Sequence, residues 1–201
     1  MALLPVDDAL ETLLAGAARL GSETVPIEQA GWRVLACDLF AKRTQPPFAA
    51  SAMDGYAVRA ADIAALPAFL SVVGEAPAGK PFPGRIAAGH AVRIFTGAPL
   101  PEGADPVLIQ EDAKPAGEGR IEAMESTAHG RHVRAAGLDV RDGDLLLNAG
   151  RVLDPGALSL AAAANHASVE GVRRPLVALL ATGDELLPPG SEPGPGQIIA
   201  S

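Results

Sequence analysis

The 201-residue chain carries a formal net charge of −8, from 16 lysines and arginines against 24 aspartates and glutamates. Binding along a nucleic-acid backbone requires clustered cations, so we expect no nucleic-acid partner. Cys37 is the only cysteine, which excludes an intrachain disulfide and a cysteine-based zinc site, and its apolar surroundings predict a core position. No apolar run approaches the ~18 residues that cross a bilayer, and the N-terminal sequence does not resemble a signal peptide. We therefore expect a cytoplasmic protein with no membrane partner.

The predicted elements begin with a helix. Apolar residues from Val6 to Ala17 recur at the spacing of one helix face, which predicts a helix over residues 6–19. A strand-like segment follows over 32–42, and the paired prolines of RTQPPFAA mark a domain boundary. From about residue 49 to 147, short apolar runs alternate with turn residues. That pattern is typical of a compact β-barrel or sandwich.

Helical signals return at DPGALSLAAAANHAS, where Asp154 is a natural N-cap and Pro155 the first helical residue. The apolar run LVALLAT, residues 176–182, then predicts a buried strand that leads into a glycine- and proline-rich loop. The predicted fold class is α+β and multidomain. It comprises a discontinuous mixed α/β domain over 1–47 and 146–172, an inserted all-β, barrel-like domain over 48–145, and the start of an α/β domain over 173–201.

The stretch FAASAMDGYAVRAAD, residues 48–62, concentrates rare residues around Asp54. An Asp-Gly pair between Met53 and Tyr56 predicts a β-hairpin turn closed by those two side chains. A turn alone does not require the only tyrosine of the chain, nor the arginine at position 59. The segment therefore has two interpretations, a structural turn and a carboxylate presented for chemistry.

Three further segments offer polar groups at strand ends. Thr96 in RIFTGAPLPEGAD could hold a phosphate or oxyanion, or could simply follow a strand. Asp184 and Glu185 in ATGDELLPPG are suited to hold Mg²⁺, or to cap a following turn. In GLDVRDGDLLL, Asp142 and the glycine after it predict a hairpin turn followed by a strand, which leaves Asp139 without a structural role.

Two other candidate sites, a phosphate-binding loop and a histidine metal site, lack neighbouring residues that their function requires. The segment Gly74–Pro81 matches the pattern G-x-x-x-x-G-K, but Pro81 stands where a phosphate-binding loop needs Ser or Thr, and no helix is predicted after it. A nucleoside-triphosphatase of that type is therefore excluded. His129 and His132 are three residues apart in a predicted loop and have no third ligand nearby, so we expect solvated side chains.

Four motifs in series carry a family resemblance: PPFAASAMDGYAVRAAD, RIFTGAPLPEGAD, VRAAGLDV and ATGDEL followed by GQI. In this order they strongly resemble the molybdopterin molybdenumtransferase family. These are the MoeA-type enzymes of molybdenum cofactor synthesis, which also occur as the E domain of gephyrin. The resemblance covers essentially the whole chain and identifies the three predicted domains with domains I, II and the beginning of the molybdopterin-binding domain III.

The resemblance implies an activity and its partners. Family members use Mg²⁺ and molybdate to convert adenylylated molybdopterin into molybdenum cofactor with release of AMP. They form homodimers, with a cleft between the β domain of one subunit and the α/β domain of the other. The adenylyltransferase of the same pathway and molybdoenzymes are further expected partners. By resemblance, the catalytic residues are Asp54, Asp139 and Glu185, the substrate-binding residues are Thr96, Arg134, Thr182 and Gly183, and the metal ligands are Asp184 and Glu185.

Two positions depart from the family pattern. Leu138 stands where members commonly have an acid, so the charge at the wall near Asp139 is lowered, and Ala49-Ala50 stands where many members have Asp-Asn. The resemblance also implies that the chain is the N-terminal part of a longer enzyme, and we expect no catalysis by these 201 residues alone. The alternative is a non-catalytic dimerisation or interaction module, in which the same residues form turns and caps.

Overall fold

The computed structural model describes residues 4–200. In that part of the chain, short strands greatly outnumber helices. The elements in chain order are α1 (Val6–Leu14), β1 (Ser22–Pro26), β2 (Leu39–Phe40), β3 (Ala50–Ser51), β4 (Gly55–Ala57), β5 (Ala68–Ala76), β6 (His90–Ile94), β7 (Val107–Ile109), β8 (Ala113–Pro115), β9 (Arg120–Ala123), β10 (Val133–Arg134), β11 (Leu145–Leu147), α2 (Pro155–Ala163), β12 (Ser168–Val172), β13 (Leu186–Leu187) and β14 (Ile198–Ile199). Within residues 4–200 no helix has the length and apolar character needed to span a membrane.

The chain divides into two compact units. Unit 2 is Thr24–Gly171, and unit 1 comprises the chain up to Glu23 together with the chain from Val172 onward. The predicted division at residues 47, 145 and 172 stays a prediction.

Unit 2 contains an open six-stranded sheet with the order β7-β4-β6-β5-β9-β8. Its pairs are antiparallel except for β5 with β6, which run parallel. The short strand β4 lies between β6 and β7, so that Tyr56 stands opposite Arg93 on one side and Leu108 on the other. Strand β3, which precedes β4 in the chain, forms a separate antiparallel pair with β10. The predicted run of short strands over 49–147 is therefore confirmed, as a mostly β fold.

Successive residues of the six-stranded sheet belong to two different apolar clusters. Ala91 and Leu108 pack in one cluster, whereas Val92 and Val107 pack in the other. This alternation is expected because successive side chains of a strand point to opposite faces. Both faces are thus covered, mostly by alanine, isoleucine and valine, and leucine is less frequent there than the scarcity of aromatic residues suggested.

A third cluster forms where α2 packs against strands from both ends of unit 2. Ala157 and Ala161 of the helix pack with Leu35, Leu39 and Leu153. The helix begins as predicted, since the Asp154 carboxylate accepts a hydrogen bond of 2.8 Å from the Ala157 amide and Pro155 is the first helical residue. It ends at Ala163 rather than at residue 168.

Three sequence-based expectations are wrong. Helix α1 ends at Leu14 instead of residue 19, because Gly16 disfavours the helix and no residue of α1 is buried to stabilise a longer one. LVALLAT forms no strand: Leu176, Leu179 and Leu180 are 87% or more exposed. An apolar run becomes a buried strand only where other elements pair with it and cover it, and the described part of unit 1 supplies none. Cys37 is exposed and does not fill the core.

Candidate functional site

The site begins with a bend at residues 52–54, between β3 and β4. Ser51 is fully buried, and its hydroxyl donates a hydrogen bond of 2.5 Å to the Met53 carbonyl and accepts one of 3.3 Å from the Met53 amide. Asp54 is the last residue of the bend, and its carbonyl accepts a hydrogen bond of 3.1 Å from the Gln110 amide. The bend is therefore held on one side by a buried serine and on the other by the residue that follows β7.

The hairpin predicted at Asp54-Gly55 is wrong. Gly55 is the first residue of β4, which pairs with β6 and β7 and not with the strand that precedes it. A Cβ at residue 55 would lie 2.1 Å from the Leu108 carbonyl oxygen, so the glycine is needed for the close approach of two strands. The local Asp-Gly sequence is the same for a hairpin turn and for the start of a central strand. The strands that pair with Gly55 decide which of the two structures forms.

The Asp54 side chain contacts Thr96, as expected if both belong to one site. One carboxylate oxygen of Asp54 accepts hydrogen bonds of 2.8 Å from the Thr96 amide and of 2.8 Å from the Thr96 hydroxyl. The Thr96 amide and then the Thr96 hydroxyl lower the pKa of Asp54; burial opposes them to a smaller extent, and the Arg93 charge lowers the pKa by the smallest amount. The site therefore presents a persistently ionised carboxylate beside a hydroxyl group.

Arg93 and Gln110 border this pair, and neither is among the predicted site residues. The Arg93 guanidinium donates a hydrogen bond of 2.8 Å to the side-chain oxygen of Gln110. A sequence signal for Arg93 did exist, because it is the single charged residue in the apolar run Ala91–Phe95 of a predicted strand. Gln110 follows β7 and gives no comparable signal.

Asp139 lies in the loop between β10 and β11. Its amide donates a hydrogen bond of 3.0 Å to the Gln45 carbonyl, and the residue borders a pocket of about 400 Å³ against α2. The side chains of Ser159 and Leu160 line the same pocket. Among the described residues, no hydrogen bond or ion pair joins Asp139 to the Asp54–Thr96 pair.

Arg134 is exposed and lies in β10, directly opposite Ala50 of β3. Strand β3 leads into the bend that carries Asp54, so Arg134 belongs to the same sheet pair as the start of that bend. The nearby turn at Asp142 was predicted correctly, since the Asp144 amide donates to the Arg141 carbonyl across it. The strand after this turn pairs with β2, however, and so does not form a hairpin.

Thr182, Gly183, Asp184 and Glu185 belong to unit 1 and are exposed. The Leu186 amide donates a hydrogen bond of 3.2 Å to the Gly183 carbonyl, which closes a turn around the two acids. The Glu185 carboxylate lies over Gly183, with an oxygen 2.5 Å from where a Cβ of that residue would stand. The turn leads into β13, which pairs in parallel with β14.

The structure also places the other motifs considered in the sequence. In residues 4–200, no group of three or more histidine, cysteine, aspartate and glutamate side chains could hold a metal ion by itself. Gly74 lies inside β5, a turn from Pro77 to Lys80 closes the motif, and residues 81–89 after it form no helix. His129 and His132 both lie in the loop before β10.

Unit 2 is therefore a mostly β domain in which a carboxylate and a hydroxyl, hydrogen-bonded to each other, lie at the end of a central strand. The chain belongs to the family described as the MoeA N-terminal region (domain I and II), whose model matches residues 4–165. The resemblance first seen in the SAMDGYAV and TGAP motifs is thus confirmed.

Individual relatives agree with the family. The chain is 39% identical over 177 residues to a molybdopterin molybdenumtransferase of Haemophilus influenzae, covering 88% of this chain and 44% of that protein. It is 38% identical over 182 residues to molybdopterin molybdenumtransferase 2 of Mycobacterium tuberculosis, covering 89% and 45%. The chain spans about half the length of these curated relatives.

A solved structure extends the similarity to the fold. The crystal structure of the molybdopterin biosynthesis moeA protein from Pyrococcus horikoshii OT3 matches with a TM-score of 0.86 at 32% identity. The match covers 100% of this chain and 54% of that chain.

Proposed function

We propose that this chain contributes the Asp54–Thr96 pair to an enzyme of molybdenum cofactor biosynthesis, which inserts molybdate into adenylylated molybdopterin and releases AMP. The observation that carries the proposal is the pair itself, a carboxylate that accepts two hydrogen bonds of 2.8 Å from Thr96 at the end of β6. Family membership supports the choice of reaction. The names of the relatives, molybdopterin molybdenumtransferases, support the choice of substrate.

The chemistry of the reaction suits the residues proposed for it. Cleavage of adenylylated molybdopterin breaks a phosphate anhydride, and both the anhydride and molybdate are oxyanions. A fixed carboxylate such as Asp54 can orient a cation or a water molecule beside the anhydride, while the Thr96 hydroxyl and amide can contact an oxyanion. The Thr96 amide and hydroxyl both donate to Asp54, so a contact of either group with an oxyanion would exchange that hydrogen bond.

The remaining proposed residues supply the same kinds of group. Asp139 is proposed as a second catalytic carboxylate, and Arg134 as a cation that binds an oxyanion. In unit 1, Glu185 is proposed as a third catalytic carboxylate, with Thr182 and Gly183 as substrate contacts. Each of these residues is exposed, as a group that meets substrate must be.

The donor chemistry of the turn in unit 1 fits Mg²⁺. This ion is usually held by one or two carboxylates together with substrate phosphates and water, and it does not need a cage of protein ligands. Asp184 and Glu185 are adjacent, exposed carboxylates and would hold it. Bound there, the ion would neutralise charge on the phosphate anhydride.

The proposed assembly is a homodimer, with the adenylyltransferase of the pathway and molybdoenzymes as further partners. Helix α1 buries none of its residues and exposes Val6, Leu10, Leu13 and Leu14. Such an apolar surface is consistent with association. It also gives some support to the second candidate function, a non-catalytic dimerisation or interaction module.

AMP release from adenylylated molybdopterin, with molybdate and Mg²⁺, tests the proposal in the full-length protein. We expect Asp54→Asn to abolish the reaction while the unfolding midpoint stays close to that of the wild type. Glu118→Gln, an exposed acid in the loop between β8 and β9, is the matched control and should keep full activity. Normal AMP release by Asp54→Asn would favour the interaction module instead.

A second measurement concerns the 201-residue chain alone. We expect no AMP release from it, because Asp54 and Thr96 would act together with groups that the family places in a further α/β domain. Appreciable turnover by this chain would contradict that part of the proposal.

A further inference from the structure

Arg93 makes four contacts with its side chain, all of them around the Asp54–Thr96 pair. Its guanidinium lies over two aromatic rings, 5.1 Å from the centroid of Tyr56 and 5.0 Å from that of Phe95. It also donates hydrogen bonds of 3.2 Å to the Gly55 carbonyl and 2.8 Å to the side-chain oxygen of Gln110. A cation over an aromatic face is attracted by the ring, so stacking and hydrogen bonds act together.

Each of these contacts reaches a neighbour of the site. Gly55 and Tyr56 follow Asp54 directly, and Phe95 precedes Thr96. Gln110 is the residue whose own amide donates to the Asp54 carbonyl. One side chain therefore connects the start of β4, the end of β6 and the end of β7.

The strand pairing does not by itself fix Asp54 against Thr96. The last paired residues of β4 and β6 are Gly55 and Ile94, so both members of the pair lie beyond the end of the ladder. Beyond it, backbone hydrogen bonds of 2.9 Å join Ser51 to Gly97 and to Ala98, and the side chain of Arg93 adds a connection between the strand ends themselves. We propose that Arg93 is a positioning residue, which sets the distance between Asp54 and Thr96 by tying the three strand ends together.

Lysine could not replace arginine in this role. Only the planar guanidinium can contact two rings and at the same time donate in its own plane to two oxygens, whereas an ammonium group is a compact point charge on a flexible stem. The inference rests on the proposed function for its significance, since it concerns the same site, but its test does not require catalysis.

The test is an NMR titration of the 201-residue chain in three variants: Arg93→Lys, Arg93→Met and Arg120→Met. Arg120 is a matched control because its guanidinium also lies over a ring, that of Phe69 at 6.0 Å, on another strand of the same sheet. The amide proton of Thr96 reports the hydrogen bond to the Asp54 carboxylate. In the wild type and the control, its shift should follow the titration of Asp54.

In both Arg93 variants we expect the Thr96 amide to stop following this titration, and the pKa of Asp54 to rise toward about 3.9, the ordinary value for aspartate. If Arg93→Lys keeps the wild-type titration while Arg93→Met loses it, charge alone is sufficient and the positioning role is overturned. Unchanged titrations in both variants overturn it as well. Should Arg93→Met fail to fold, the Arg93→Lys result decides.

In the full-length enzyme, Arg93→Lys should lower AMP release by about tenfold to a hundredfold, since small displacements of reacting groups have effects of that size. A failure of the proposed function would show as normal AMP release by Asp54→Asn. That result would not change the outcome of the NMR titration, which tests the role of Arg93 independently.

Discussion

A single carboxylate oxygen of Asp54 accepts two hydrogen bonds from Thr96, one from the backbone amide and one from the hydroxyl, each of 2.8 Å. The two residues are 42 positions apart in the chain and are brought together by the pairing of β4 with β6. Hydrogen bonds to the ionised form stabilise that form. The relationship therefore fixes both the position of the carboxylate and its charge.

Thr96→Ala removes the hydroxyl donor and keeps the amide donor. The pKa of Asp54 should rise but stay below the ordinary value, because the amide is the larger of the two causes. Carbon-13 NMR of the aspartate carboxyl groups, with Asp54→Asn to assign the signal, measures the change.

Thr96→Ser is the control for that experiment, since it keeps a hydroxyl on the same atom. It should leave the pKa of Asp54 close to that of the wild type. Equal pKa values in the alanine and serine variants would mean that the hydroxyl does not bind the carboxylate in solution.

The lowered pKa of Asp54 also makes stability depend on pH. A carboxyl whose pKa is lower in the folded than in the unfolded protein stabilises the fold fully above the unfolded pKa, about 3.9, and loses that contribution as the pH falls through the folded pKa. The free energy of unfolding of the wild type should therefore fall relative to that of Asp54→Asn in this acid window. Urea denaturation of both proteins at pH 7 and at successive acidic values gives the difference. A constant difference at all pH values would contradict the lowered pKa.

Local signals in the sequence were enough for several features. The cap at Asp154 and the turn at Asp142 depend on residues three or fewer positions apart, and both occur as predicted. The short strands over residues 49–147 followed from apolar runs separated by turn residues, and the family motifs drew attention to Asp54 and Thr96. In each case the information needed lies within a few residues of the feature.

Features that depend on distant partners were not predictable in this way. Gly55 belongs to a central strand because Leu108 approaches it, and nothing near residue 55 indicates that approach. Leu176 and Leu179 have the composition of a buried strand but are exposed, because no described element covers them. Arg93 likewise stands out in the sequence only as a charge within an apolar run. Its place beside Asp54 and Thr96 follows from the positions of β4, β6 and β7.

Asp154→Ala should destabilise unit 2 by about 1 kcal/mol, the usual loss for an N-cap replaced by alanine. The Asp154 carboxylate accepts from the Ala157 amide at 2.8 Å and also pairs with Arg151 at 2.6 Å. Asp154→Asn separates these effects, because it can still cap the helix but cannot form the ion pair. An exposed ion pair contributes at most about 1 kcal/mol, so the asparagine variant should lie closer to the wild type in urea denaturation. A smaller loss for alanine than for asparagine would contradict the cap.

Gly55→Ala tests the close packing that carries Asp54. A Cβ there would stand 2.1 Å from the Leu108 carbonyl oxygen and 2.9 Å from the Ile109 Cα, both of them backbone atoms that cannot rotate away. Strands β4 and β7 would have to separate, so we expect a loss of about 3 kcal/mol in the free energy of unfolding. Gly31→Ala is the matched control in the same unit, because the nearest atom to its new Cβ is Leu158 Cδ1 at 4.0 Å. Urea denaturation compares the two. A loss below about 1 kcal/mol for Gly55→Ala would mean that β4 adapts easily, and the Asp54 carboxylate would then not be held by this packing.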